Sequence, residues 1–234
     1  MDTLSEALRG ALSLITAGDA VLAGIVILSL KVSLSAVAFA TLLGLPLGAT
    51  IAIGRFPGRR PLVILLNALM GLPPVVVGLL VYLLLSRAGP LGELGLLFTP
   101  GAMVVAQTIL VLPIIAALCR QAAEDAWIEY EEQLRSLGAS GLGAALTLVW
   151  EIRFSLVTAI LAGLGRALAE VGAVIIVGGN IDGVTRVMTT TIALETSKGD
   201  LALALSLGLV LILLVVLLNA AAFVIRDAAL RRYG

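Results

Sequence analysis

Leu201–Ile225 reads LALALSLGLVLILLVVLLNAAAFVI, a run without one charged side chain. As a helix it rises about 1.5 Å per residue and so outreaches the roughly 30 Å of hydrocarbon in a bilayer. A soluble core has no use for an element so long and so uniformly apolar, and the bilayer is therefore its solvent. The rest of the 234 residues agrees: 60% are hydrophobic and 13% are charged, against about 25% charged in ordinary soluble domains. Mean hydropathy is +1.15.

Working back from that run, the fifth span, the fourth is expected over 154–177, the third over 101–118, the second over 62–85 and the first over 21–53. The first is longer than about 20 residues, so it tilts, bends or protrudes, with Gly44, Pro46 and Gly48 as the place for a bend. In the second, Gly71–Leu79 reads GLPPVVVGL, and Pro73 with Pro74 interrupts the helical hydrogen bonds. Residues 1–19 place Leu4, Leu8, Leu12 and Ile15 at helical spacing between polar residues, a pattern for an interfacial helix. With Asp2 and Glu6 and no basic region before an apolar core, this start does not read as a cleaved leader. The fold class is all-α: one polytopic membrane helix bundle over 1–234, with about five transmembrane helices.

Residues 120–153 change character. Glu124, Asp125, Glu129, Glu131 and Glu132 make a solvated helix, Leu137 and Gly138 end it, and Leu142–Val149 forms a helix too short to cross. Lys and Arg in short loops set orientation. Arg55, Arg59, Arg60, Arg120, Arg135, Arg153, Arg226, Arg231 and Arg232 fall on one side, and Arg9, Arg87, Arg186 and Lys198 on the other. The first set is read as cytoplasmic, which puts the N-terminus outside, the C-terminus inside, and 120–150 in the cytoplasm as a helix–turn–helix knob. Its Leu142, Leu146 and Leu148 call for a partner's groove.

Composition narrows the chemistry. The chain has no His and a single Cys, Cys119, which disfavours a metal or haem site and excludes an intrachain disulfide. Zero net charge and the lack of a basic run give no case for nucleic acid. No nucleophile–base pair or paired carboxylates point to catalysis, and no phosphate-cradling G-x-x-x-x-G-K-[ST] loop is present, so ATP, if it drives anything here, binds elsewhere.

Arg166 and Glu170 lie four apart in the fourth span, where a lone charge costs on the order of 2.5–3.5 kcal/mol. On one helix they share a face, either as a packed pair or as the wall of a water-accessible path. Gly165, Ala169 and Ala173 repeat small residues beside them, suited to close helix contact. Lys31 is read as snorkelling. Asn180, Arg186, Thr189, Thr190 and Thr191 offer donors suited to an oxyanion, although an ordinary polar loop looks the same.

At the knob the sequence resembles the permease subunits of ATP-binding-cassette (ABC) importers. Their signature is E-A-A, three residues, G, nine residues and I-x-L-P; Glu132–Glu151 here reads EQLRSLGASGLGAALTLVWE. Glu132 and Gly138 match, Gln133 and Leu134 replace the alanines, and Trp150 and Glu151 stand where Leu and Pro are usual. LPPVVVGL at 72–79 and GRALAEVGAVIIVGGN at 165–180 are similar to molybdate-type permeases, and TRVMTTTIALETSKGD at 185–200 to tungstate-transporter permeases.

The resemblance implies a type I importer permease for tungstate or molybdate in a prokaryotic cytoplasmic membrane. It implies a second copy of the chain, two cytoplasmic ATPases holding the ATP and Mg, an extracytoplasmic oxyanion-binding protein, and no cofactor on this chain. Its coupling residues fall on Glu132, Gly138, Ala139 and Ser140, with Glu131 and Leu142 beside them. The translocation path is expected at Arg166, Glu170, Asn180, Arg186, Thr189 and Thr190. An ion channel or proton-driven carrier is the alternative, and neither accounts for the knob.

Overall fold

The computed structural model describes residues 2–17 and 20–233. Every regular element among them is helical: α1 (Asp2–Ala17), α2 (Ala20–Ile53), α3 (Arg59–Leu69), α4 (Pro74–Leu85), a 3-10 turn (Gly92–Leu94), α5 (Pro100–Ser136), α6 (Gly141–Glu151), α7 (Arg153–Leu168), α8 (Gly172–Gly178), α9 (Met188–Lys198) and α10 (Leu201–Tyr233). Among the described residues α2, α5 and 201–225 of α10 are long and apolar enough to cross a membrane. Two bent pairs, α3 with α4 at 100° and α6 with α7 at 76°, raise the number of spans to five if each pair counts as one. The chain is an all-α, multi-pass membrane protein.

The residues group into two units. The first holds Met1–Ser35, Pro73–Gln107 and Ala167–Ala221; the second holds Ala36–Leu72, Thr108–Arg166 and Ala222–Gly234.

In the first unit α4 and α8 pack backbone to backbone. A Cβ on Gly78 would lie 2.7 Å from Ala173 Cα, and one on Gly172 would lie 3.0 Å from Val75 Cγ2. Small residues permit that approach where no hydrophobic drive separates helix from lipid. Pro73 and Pro74 break the chain ahead of α4 as expected, with Pro74 in the first turn, where a missing N–H costs nothing.

In the second unit the same device recurs between α2 and α5. A Cβ on Gly48 would stand 2.5 Å from Ala116 O and 2.9 Å from Cys119 Cβ, and one on Gly44 would meet Ala116 N at 3.3 Å. The glycines expected to bend α2 instead form a G-x-x-x-G contact face, and α2 runs on with Pro46 inside it. Ala49, Ala52, Cys119, Ala123, Ala145, Ile152 and Leu156 continue that contact as a buried core of mostly small side chains.

Three boundaries differ from the sequence reading. The third span and the acidic segment are one helix, α5, of 37 residues. The expected span 154–177 is broken, because α7 stops at Leu168 and α8 begins at Gly172. The expected polar loop after it folds its 188–198 part into α9, with Thr189, Thr190 and Thr191 buried.

Candidate functional site

The knob is built by its turn. At the end of α5 the Gly138 N–H donates to Arg135 O and the Ala139 N–H to Leu134 O, each at 3.0 Å. That is a Schellman closure, and it needs the left-handed φ of +69° that Gly138 adopts. Two residues on, Ser140 caps α6: its Oγ accepts from the Gly143 N–H at 3.1 Å. Gly138 and Ser140, two of the residues marked by the resemblance, thus set the angle between α5 and α6.

Helix α6 has two faces. Ala144, Ala145 and Leu148 are buried, whereas Leu142, Leu146 and Trp150, four apart, are 71%, 63% and 70% exposed. Leu137 adds to this apolar surface from the turn. Glu132 and Ala139 are exposed beside it. At the junction with α7, Arg153 donates from Nη1 to Trp150 O at 2.9 Å, and its guanidinium lies 5.0 Å from the Trp150 ring centroid and 4.6 Å from that of Phe154. The cation therefore clamps the bend between α6 and α7. Carboxylates crowd the same region, since Glu129 first and Glu151 second hold the Tyr130 phenol above its ordinary range.

Glu131 is placed differently from Glu132. It receives Arg55 Nη2 at 2.7 Å and Arg135 at 2.6 Å. Two turns back, Glu124 takes Arg120 Nη1 at 2.5 Å and also pairs with Arg59. Arg59 in turn donates Nε to Ile51 O at 2.8 Å and Nη2 to Ala52 O at 3.1 Å, covering carbonyls that the end of α2 leaves open. This latch fastens the 54–60 turn to α5. The (i, i+4) pairs Arg120–Glu124 and Glu131–Arg135 were visible as spacing; the cross-chain arginines were not.

Several polar residues of the first unit gather around Glu170. Arg166 sits in the last turn of α7, which ends at Leu168, and Glu170 follows two residues beyond that end, its N–H still donating to Ala167 O at 3.2 Å. Of the small residues Gly165, Ala169 and Ala173, Ala173 packs closely against Gly78, and a Cβ on Gly165 would meet nothing within 4 Å. Glu170 is buried, its Oε1 accepts from the Ala173 N–H at 2.9 Å, and its carbonyl accepts from Thr189 Oγ1 at 2.8 Å. Ser29, Ser33, Gln107 and Thr189 line a small cavity with it. Ser29 Oγ accepts from the Met188 N–H at 2.9 Å, and Gln107 donates Nε2 to Ala167 O at 3.1 Å while its Oε1 has no partner.

Asn180, Arg186 and Thr190 are set apart from that cluster. Asn180 follows the end of α8 with φ +50°, its buried Oδ1 unpaired. Thr185 ties this loop, donating Oγ1 to Gly178 O at 2.6 Å and accepting from the Ile181 N–H at 2.9 Å. Arg186 Nη1 pairs with Asp182 at 2.9 Å. Thr190 and Thr191 turn their hydroxyls to Val187 O at 3.0 and 2.7 Å, so these two complete the start of α9.

No family model matches the chain. Individual proteins do. It is 41% identical over 218 residues, 91% of this chain and 94% of the relative, to the probable anion ABC transporter permease protein of Haloferax volcanii. It is 39% identical over 227 residues, 97% of this chain and 100% of the relative, to the tungstate uptake system permease protein TupB of Peptoclostridium acidaminophilum. The molybdenum transport system permease protein ModB of Mycobacterium tuberculosis is 31% identical over 213 residues, 84% and 77% of the two chains.

Proposed function

The chain belongs to the permease subunits of ABC transporters, and from that premise we propose that it carries tungstate, or the closely similar molybdate, inward through a prokaryotic cytoplasmic membrane. The observation that carries this reading is 39% identity along the whole of a relative named for tungstate uptake. The chain has no phosphate-cradling loop; the driving ATPase is a separate pair of subunits, which hold the ATP and Mg.

Support for the coupling role comes from the knob. Each ATPase grips one α6 through the exposed Leu142, Leu146 and Trp150 stripe, with Glu132, Gly138, Ala139 and Ser140 setting and flanking it, and Glu131 holding the base of the knob to the 54–60 turn. Two copies of the chain enclose the path, and a binding protein delivers the oxyanion from outside. Within each copy the path draws on Arg166, Glu170, Asn180, Arg186 and Thr189, while Thr190 fixes the helix that carries Thr189. Because α6 bends directly into α7, a pull on the knob reaches the polar cluster where α7 ends.

Uptake of labelled tungstate into proteoliposomes tests the reading, with this chain reconstituted beside its ATPase and binding protein. ATP-dependent uptake, blocked by unlabelled tungstate before sulfate, is the expected result. Gradient-driven uptake without the ATPase overturns it.

A further inference from the structure

Lys31 and Arg186 line one groove of about 530 Å³ in the first unit, together with Asp182 and an apolar wall that includes Val21, Ile25 and Leu28. That volume lies within the roughly 300–1,000 Å³ of small-molecule sites. Among the described residues of the lining two cations face one carboxylate. Among the described residues no hydrogen bond or ion pair holds the Lys31 ammonium. Asp182 takes the Nη1 corner of Arg186, while Arg186 Nε is buried and has no partner. The Nε edge of a guanidinium is a directional fork for an anion's oxygens, and an ammonium is a freely turning point charge.

We propose that this groove binds a tetrahedral oxyanion, with Arg186 orienting it and Lys31 supplying the balancing charge. Such a group has two sources. One is the free substrate anion on its way in, which rests on the importer reading above. The other is the phosphodiester of an anionic phospholipid, whose acyl chain would lie along the Val21–Leu28 wall; this source does not rest on that reading. In either case Lys31 has a task besides reaching for the membrane surface.

Lys31→Gln and the double variant Lys31→Gln/Arg186→Gln separate the outcomes in two assays on the full chain. In proteoliposomes with the ATPase and binding protein, the apparent KM for tungstate is measured. In detergent, retention of radiolabelled phosphatidylglycerol by the purified chain is measured. A KM raised about tenfold, the scale of one lost charge-assisted hydrogen bond, assigns the groove to the free anion. Loss of bound phosphatidylglycerol alone assigns it to a lipid headgroup. Wild-type KM and wild-type lipid retention in both variants would overturn the proposal. If the wild-type complex takes up no tungstate, the importer reading fails while the lipid assay still decides the groove.

Discussion

At the scale of single residues the glycines divide sharply by what surrounds them. A Cβ on Gly48 would press on the Ala116 carbonyl at 2.5 Å, a backbone atom that cannot turn aside, whereas Gly24 has nothing within 4 Å. Gly48→Val should therefore destabilise the protein by about 1–3 kcal/mol through overpacking, and Gly24→Ala should be neutral or stabilising by up to about 1 kcal/mol. Thermal unfolding in detergent, followed by size exclusion, checks both, and equal melting for the two variants would refute the contact. Gly138 is a third kind: its surroundings are open but its φ is +69°, so Gly138→Ala carries roughly 1–2 kcal/mol of backbone strain. Its effect should appear as lost tungstate uptake with the protein still folded, because the strain acts on the turn that aims α6. The spacing of Gly44 and Gly48 was legible in the sequence. Its meaning was not, since Pro46 between them pointed to a bend and only the proximity of α5 shows a packing face.

Helices were legible where apolar length alone decides, as in α2, α5 and α10, and where prolines stop the chain, as before α4. The interruption at 169–171 was not. No proline or glycine run marks it; the break is held by a carboxylate, Glu170, that accepts from the Ala173 N–H as a cap while Thr189 takes its carbonyl. A charged residue inside an apolar run reads as a helix face when only spacing is known, and here it ends one helix and starts the next. The α6–α7 bend is similarly hidden. Where the family signature carries Leu and Pro, this chain carries Trp150 and Glu151, and the angle is kept by Arg153 against two aromatic rings. Arg153→Ala should remove about 0.5–1 kcal/mol of cation–π attraction and loosen the bend, whereas Arg153→Lys keeps the cation and part of the effect. In a Trp127→Phe background, Trp150 emission should shift in the alanine variant, and less tungstate should enter per ATP hydrolysed. Unchanged emission and an unchanged ratio would mean that the clamp does not hold the bend.

Over the whole molecule, a multi-pass helical chain was legible in composition, because lipid demands long apolar helices; sidedness was read from the placement of Lys and Arg and is a separate expectation. The grouping of residues into two units was not legible, since it depends on which helices meet rather than on what each contains. Sidedness is the property that most constrains function: an ATPase can reach the α5–α6 turn only if that turn lies in the cytoplasm, and the 179–187 loop must then face out. Cys119 is the only cysteine and is buried, so the natural chain should stay silent toward a membrane-impermeant maleimide. Single cysteines placed at Glu132 and at Asp182, both exposed, then report the two sides independently. Asp182→Cys should label in intact cells, and Glu132→Cys only after the membrane is opened. The reverse pattern would invert the orientation and remove α6 from the reach of any ATPase. Labelling of both in intact cells would place knob and loop on one side and would mean that the bent α6–α7 pair does not count as a span.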